Sequence, residues 1–89
     1  MVSANQARTA AERYIQRKVQ PQLSEQIIVA AVDEHEYCWV ATYNTRRFVE
    51  TGDFRHALAG NGPLIINKAT GALREGVSAV PIESQLDAE

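Results

Sequence analysis

The sequence has a single cysteine, Cys38, and no hydrophobic run long enough to cross a bilayer. One cysteine cannot form an internal disulfide, which argues against the disulfide-stapled domains common among small secreted proteins. A membrane-spanning helix needs roughly 20 apolar residues in succession. The first residues, Met1 to Gln6, lack the charged and apolar regions of a signal peptide. We therefore expect a cytoplasmic protein with no membrane segment.

An excess of basic residues is also missing. The chain has 9 Lys and Arg against 11 Asp and Glu, which gives a net charge of −2. Proteins that bind nucleic acid need a clustered basic face to hold phosphates. The densest basic runs here, Arg46-Arg47 and Arg17-Lys18, are too short to form one. The composition argues against a nucleic-acid partner and suits a basic protein surface instead.

The chain is short, at 89 residues, and 45% of them are apolar. A chain of this length buries only about 60–65% of the surface that its unfolded form exposes, so the core is small. We expect residues 1–89 to form one domain. Four of the five glycines lie within residues 48–71, where they are spaced as turns around the apolar run Leu64–Asn67. This spacing indicates a scaffold rather than a catalytic loop.

Hydrophobic periodicity predicts an α+β fold. An N-terminal helix should pack on an antiparallel sheet of four to five short strands, and a short C-terminal helix should follow. The first helix is predicted to begin after a capping box at Ser3 and to run to Gln20, where Pro21 ends it. The last helix is predicted at residues 81–86, since proline favours the first helical position.

Short apolar segments predict the strands, which we place at residues 27–32, 37–43, 46–50, 64–67 and 72–78. Asp33–Glu36 is expected to be a polar hairpin loop. Alternation along Tyr37–Tyr43 places Trp39 on one face, packed towards the first helix, and Cys38 on the other. Asp53 is expected to cap a short helical turn through Ala59. Lys68 to Gly71 is expected to be a hairpin turn with positive φ at the glycine.

The cysteine and the histidines raise two functional possibilities, a thiol nucleophile and a metal site. Cys38 with His35 or His56 could form a thiol nucleophile, but nothing near Cys38 in the sequence would lower its pKa, and we expect a packed thiol. His35 stands among three carboxylates, yet zinc sites need three or four ligands in fixed geometry. A solvated loop is the simpler interpretation of that stretch.

Two other patterns resemble catalytic motifs only superficially. Glu50 and Asp53 could form an acid pair, as in glycosidases, but no groove-forming sequence surrounds them. The segment Gly60-Asn61-Gly62-Pro63 lacks the lysine and spacing of a phosphate-binding loop, and proline removes a backbone donor. We therefore predict no catalytic, cofactor-binding or metal-binding residues.

An ordered set of motifs carries a family resemblance. Tyr37-x-Trp39 is followed by Phe48-Val49-Glu50-Thr51-Gly52-Asp53, and then by Leu58-Ala59-Gly60-Asn61-Gly62-Pro63. Ile65-Ile66-x-Lys68, Thr70-Gly71 and Pro81-Ile82-Glu83 complete the set. The chain resembles the immunity protein 35 family, also described as the YrhB-domain family, over about residues 5 to 86. The resemblance implies a small bacterial protein that is encoded beside a polymorphic toxin and protects the producing cell by binding that toxin.

The leading hypothesis is therefore stoichiometric binding of a cognate toxin. Charge assists fast capture in such complexes, so we predict that the partner meets the acidic side chains Asp33, Glu34, Glu36, Glu50 and Asp53. A stand-alone chaperone-like or general protein-interaction module is the main alternative, and a thiol hydrolase using Cys38 is a third. An exposed edge strand could also pair two copies into a homodimer.

Overall fold

The computed structural model describes residues 1–58, 61–77 and 82–86. Helix α1 is followed by a π-helical turn and a 3₁₀ turn, and a four-stranded antiparallel sheet begins after them. The elements are α1 Ala4–Tyr14, the π-helical turn Ile15–Val19, the 3₁₀ turn Gln20–Gln22, β1 Ile27–Glu34, β2 Cys38–Thr45, α2 Arg46–Thr51, the 3₁₀ turn Phe54–His56, β3 Leu64–Asn67, β4 Leu73–Glu75 and α3 Ile82–Leu86. The predicted α+β fold is confirmed.

Helix α1 starts where the sequence predicts and ends earlier. The Ser3 side chain accepts from the backbone N–H of Gln6, while the Gln6 side chain accepts from the backbone N–H of Ser3, which completes the capping box. The α-helix stops at Tyr14 rather than Gln20, and the chain continues in wider and then tighter turns. The Gln20 side chain closes this region, because its amide bonds both Glu25 O, at 2.8 Å, and Ile27 N, at 2.9 Å.

The sheet is a meander in the order β1-β2-β3-β4, with every neighbouring pair antiparallel. Strand β1 is longer than predicted, because Asp33 and Glu34 pair with Val40 and Trp39 instead of belonging to the loop. The connection to β2 is a tight turn closed by a hydrogen bond of 2.9 Å from His35 N to Cys38 O. The register of β1 shifts between Val29 and Ala31, which marks a β-bulge in this edge strand.

The core has two parts because both faces of the sheet carry buried side chains. The first face packs against α1, whose buried residues recur every four positions as one apolar stripe. The second face is smaller and lies beneath α3. The first-face cluster comprises Ala7, Ala11, Ile15, Ile27, Val29, Ala41, Tyr43, Leu64 and Ile66, and the second comprises Cys38, Val40 and Ile65 with Ile82 and Leu86 packed on them. The predicted alternation along β2 is confirmed.

The prediction of a strand at residues 46–50 is wrong, since Arg46–Thr51 forms helix α2. The Thr45 side chain caps the helix by accepting from Phe48 N at 3.1 Å. Arg46 and Glu50 form an i,i+4 ion pair, which supports a helix and not a strand. Gly52 ends the helix with φ of 72°, a left-handed conformation that glycine adopts without strain.

The predicted hairpin turn from Lys68 to Gly71 is confirmed. Gly71 has φ of 77° in the turn between β3 and β4. The Asn67 side chain accepts from the backbone N–H groups of Ala69 and Thr70 and shapes this turn. Strand β4 ends at Glu75 rather than at Ser78, and Ala59, Ser78 and Pro81 lie outside the described residues.

Thr45 offers a test of how α2 is held. Its hydroxyl also donates to His56 O at 2.6 Å, and the residue is 3% exposed. We expect Thr45→Val to lower the free energy of unfolding by about 2 kcal/mol, because two partly buried backbone groups, Phe48 N and His56 O, lose their partner. Urea denaturation measures this loss. Thr42→Val, an exposed position of the same strand, should change the free energy of unfolding by less than about 0.5 kcal/mol.

The raised pKa of Tyr14 predicts that the free energy of unfolding depends on pH in the alkaline range. Burial and a hydrogen bond with Glu75 raise the pKa of Tyr14 from 10.0 to about 12. A raised folded-state pKa stabilises the fold fully below pH 10, and this contribution is lost as the pH rises towards 12. We expect Tyr14→Phe to flatten the fall in the free energy of unfolding over that range. Denaturation at a series of pH values measures it, and equal slopes for both proteins would contradict it.

Candidate partner-binding surface

The five predicted acids fall into two groups at opposite ends of strand β2. Asp33, Glu34 and Glu36 lie in residues 33–37, which we call the hairpin tip. Glu50 and Asp53 lie in residues 46–56, which we call the open end. At the rise of about 3.3 Å per residue of a strand, β2 separates the two groups by about 23 Å. The acids therefore do not form one patch.

Lys68 organises the hairpin tip. Its Nζ lies 2.8 Å from Glu34 Oε2 and 3.4 Å from Glu36 O. The same nitrogen lies 5.1 Å from the centroid of the Trp39 ring, within the range of a cation–π contact. The Lys68 backbone N–H also donates to Tyr37 O at 3.0 Å. One buried cation thus fixes both the backbone and one carboxylate of the tip.

The three tip acids consequently differ. Glu34 is neutralised by Lys68, although its side chain is 65% exposed. Asp33 and Glu36 are exposed. Tyr37 is 61% exposed, and a hydrogen bond with the Glu36 carboxylate raises the pKa of its hydroxyl. The tip therefore presents two carboxylates and an aromatic ring to solvent.

Both acids of the open end are held by arginines. Glu50 Oε2 lies 3.1 Å from Arg46 Nε. Asp53 accepts from Arg55 Nε at 3.1 Å and from Arg55 Nη2 at 2.6 Å, and this hydrogen bonding lowers the pKa of Asp53. Asp53 also accepts from Arg55 N at 3.0 Å, so the predicted helix cap is confirmed over the shorter span Phe54–His56.

A polar groove of about 440 Å³ lies beside α2. Glu25 lies in its wall, with Oε1 3.9 Å from Arg47 Nη1 and 4.0 Å from His56 Nδ1. Its other carboxylate oxygen is buried without a hydrogen-bond partner within the described part of the chain. The groove is lined by Ser24, Glu25, Gln26, Arg46, Arg47 and Glu50. Paired charges of this kind can hold a polar group of a partner, and the lining contains no thiol or histidine nucleophile.

The residues considered as catalytic candidates are either buried or distant from one another. The Cys38 thiol is 1% exposed and packs with Val40 and Ile65 beneath α3, as expected of a packed thiol. His35 lies at the hairpin tip and His56 at the open end. Over residues 1–58, 61–77 and 82–86, no group of three or more His, Cys, Asp or Glu could hold a metal ion.

Sequence reasoning missed two features of this surface. Phe54 is 83% exposed, and its ring lies 5.5 Å from that of Phe48. Lys68 is only 8% exposed, although lysine is rarely buried. The position of Phe54 directly after a helix-capping Asp53 and before Arg55 is the one sequence signal that could have indicated a projecting turn. Lys68 belongs to the motif Ile65-Ile66-x-Lys68, but no sequence signal indicated its burial, which depends on the pairing of distant strands.

Comparisons with known proteins agree with the motif order. A family model described as Immunity protein 35 matches residues 5–89. The uncharacterized protein YrhB of Escherichia coli (strain K12) is 42% identical over 48 residues, which cover 54% of this chain and 51% of that protein. The chain thus spans about half the length of this curated relative. No solved structure matches significantly. Within the described residues, no helix combines the length and the apolar character needed to cross a membrane.

Lys68 offers a test of how the tip is organised. We expect Lys68→Met to lower the free energy of unfolding by about 1 kcal/mol, because the apolar stem stays on Trp39 while the charged contacts are lost. Glu34→Gln should lower the free energy of unfolding by less, since Lys68 keeps its contacts with Glu36 O and with the Trp39 ring. Urea denaturation of both variants measures the difference. An equal cost for both would contradict the picture of a cation held by three contacts.

Proposed function

Because the chain belongs to the immunity protein 35 family, we propose that it protects a bacterial cell by binding one cognate toxin in a stoichiometric complex. The observation that carries this proposal is the family match, which extends over residues 5–89. We further propose that residues 1–89 act as one domain in the cytoplasm, where a toxin made by the same cell would have to be neutralised.

The proposed mechanism is occlusion of the toxin's active site or of its substrate-binding face. Inhibition by occlusion needs a rigid, complementary surface and no chemistry from the inhibitor. Order that exists before binding reduces the entropy lost in the complex. The described residues support this mechanism, because Lys68 braces the hairpin tip and Thr45 and Asp53 brace the turns of the open end.

We propose that the toxin contacts one of the two ends of the sheet. At the hairpin tip, Asp33 and Glu36 would meet basic groups of the toxin, and Glu34 would take part through its pair with Lys68. At the open end, Glu50 and Asp53 would act through the arginines that they hold in place. Charges of this kind mainly raise the association rate and select the partner.

Co-expression with the toxin encoded by the neighbouring reading frame tests the proposal. We expect the wild-type protein to restore growth and to co-purify with the toxin at a 1:1 ratio. Cells that still die, with no complex recovered, would refute it. Suppression of aggregation of unrelated clients, measured by light scattering, would then favour the chaperone-like alternative.

Two double variants identify the end that binds. Asp33→Asn with Glu36→Gln alters the hairpin tip, and Glu50→Gln with Asp53→Asn alters the open end. Only the double variant at the contacting end should weaken protection of the cells. In binding experiments with the purified proteins, its loss of affinity should diminish as ionic strength rises. Glu12→Gln, an exposed change on α1, is the matched control and should leave protection unchanged.

A further inference from the structure

Phe54 is an aromatic side chain that is mostly exposed to solvent beside Phe48. It is 83% exposed, which is more than any other large hydrophobic side chain of residues 2–58, 61–77 and 82–86. Its ring lies at the edge of the molecule, 5.5 Å from the half-buried ring of Phe48 and inclined to it by 44°. Aromatic residues, phenylalanine among them, are enriched in protein–protein interfaces relative to the rest of the surface.

The backbone beneath Phe54 is fixed. The Asp53 side chain caps the turn at Arg55 N. Two backbone hydrogen bonds close it, from His56 N to Asp53 O at 3.0 Å and from Ala57 N to Phe54 O at 3.2 Å. The Thr45 hydroxyl then ties His56 O to the end of β2 at 2.6 Å. Phe54 is therefore presented by a braced turn, and little backbone order remains to be gained when a partner binds.

Two ion pairs near this turn have the arginine more exposed than the carboxylate, whereas in the pair of Arg46 with Glu50 the two side chains are 54% and 58% exposed. The Arg55 side chain is 85% exposed and its partner Asp53 only 30%. Arg47 is 68% exposed and its partner Glu25 only 37%. In both pairs the guanidinium stands outermost and the carboxylate lies behind it. An approaching protein would therefore first contact the Phe54 ring and the guanidinium groups of Arg55 and Arg47. The paired carboxylates keep the local net charge low.

We infer that Phe54 is the anchor of the toxin interface, and that it enters an apolar pocket whose rim carries carboxylates of the toxin that meet Arg55 and Arg47. This inference rests on the proposed function and selects the open end as the contacting end. Aromatic residues and arginine are both enriched in interfaces, and a few buried residues of this kind carry most of the binding energy. The hairpin tip offers Tyr37, but the Glu36 carboxylate is hydrogen-bonded with its hydroxyl, and Glu34 is already paired with Lys68.

The test measures binding of purified variants to the toxin domain from the neighbouring reading frame, inactivated in its own active site, by isothermal titration calorimetry. We expect Phe54→Ser to weaken binding at least about 30-fold. Phe54→Leu should retain most of the affinity, because it keeps an apolar group for the pocket. Tyr37→Ser removes an exposed aromatic side chain at the other end and serves as the matched control, with affinity unchanged.

Each other outcome overturns a different statement. If Phe54→Ser binds like the wild type, or if Tyr37→Ser loses the affinity instead, the anchor is misassigned while toxin binding stands. If the wild type itself does not bind the toxin, the proposed function fails and this inference fails with it. Dimerisation of the wild type that Phe54→Ser abolishes, measured by analytical ultracentrifugation, would assign the surface to a second copy and overturn the inference.

The acidic rim of the partner is tested separately. Arg55→Gln should weaken binding about 3- to 10-fold, and the loss should shrink in high salt. A gain in affinity would indicate a basic rim and overturn this part. Because Phe54 and Arg55 are exposed, equal thermal unfolding midpoints for all variants should show that the fold is intact.

Discussion

The contacts of Lys68 join parts of the chain that are distant in sequence. A buried ammonium group is costly unless it is paired and hydrogen-bonded, and here the ion pair with Glu34 and the face of Trp39 offset that cost. The backbone of the same residue donates to Tyr37 O and accepts from Val2 N at 2.8 Å. The Trp39 indole in turn donates to Val2 O at 2.8 Å. The start of the chain, the β1–β2 hairpin and the end of β3 therefore share one point of attachment.

Local sequence signals predict the fold best where turn residues enclose a short apolar run. Strand β3 has the predicted bounds, since a glycine-containing turn follows it and Pro63 precedes it. Residues 46–50 show the opposite case. Phe48 and Val49 favour a strand in isolation, but the Thr45 cap and the hydrogen bond of 2.8 Å from Arg46 N to Gln26 O set a helix at that point. The pairing with Gln26 depends on the tertiary fold and leaves no periodic signal.

The candidate binding surface is less predictable than the fold, for a related reason. Charge alone indicates which side chains are polar, but strand register decides that Asp33 and Glu50 lie at opposite ends of the sheet. Register also brings Lys68 beside Glu34 and so removes one carboxylate from the free charge of the tip. The exposure of Phe54 depends on the absence of any covering segment among the described residues. The family motif from Phe48 to Asp53 thus forms part of the structural scaffold. The geometry of that scaffold determines which side chains are exposed.

The bulge in β1 bears on how such a protein can accumulate in a cell. An edge strand of 8 residues would otherwise be a template onto which further strands could add. The shift between Val29 and Ala31 interrupts the regular spacing of its backbone donors and acceptors. A strand from another chain would therefore meet an interrupted ladder at that point. Under the proposed function, the protein would have to stay in excess over its toxin, and a low tendency to aggregate would help because aggregated copies could not bind toxin.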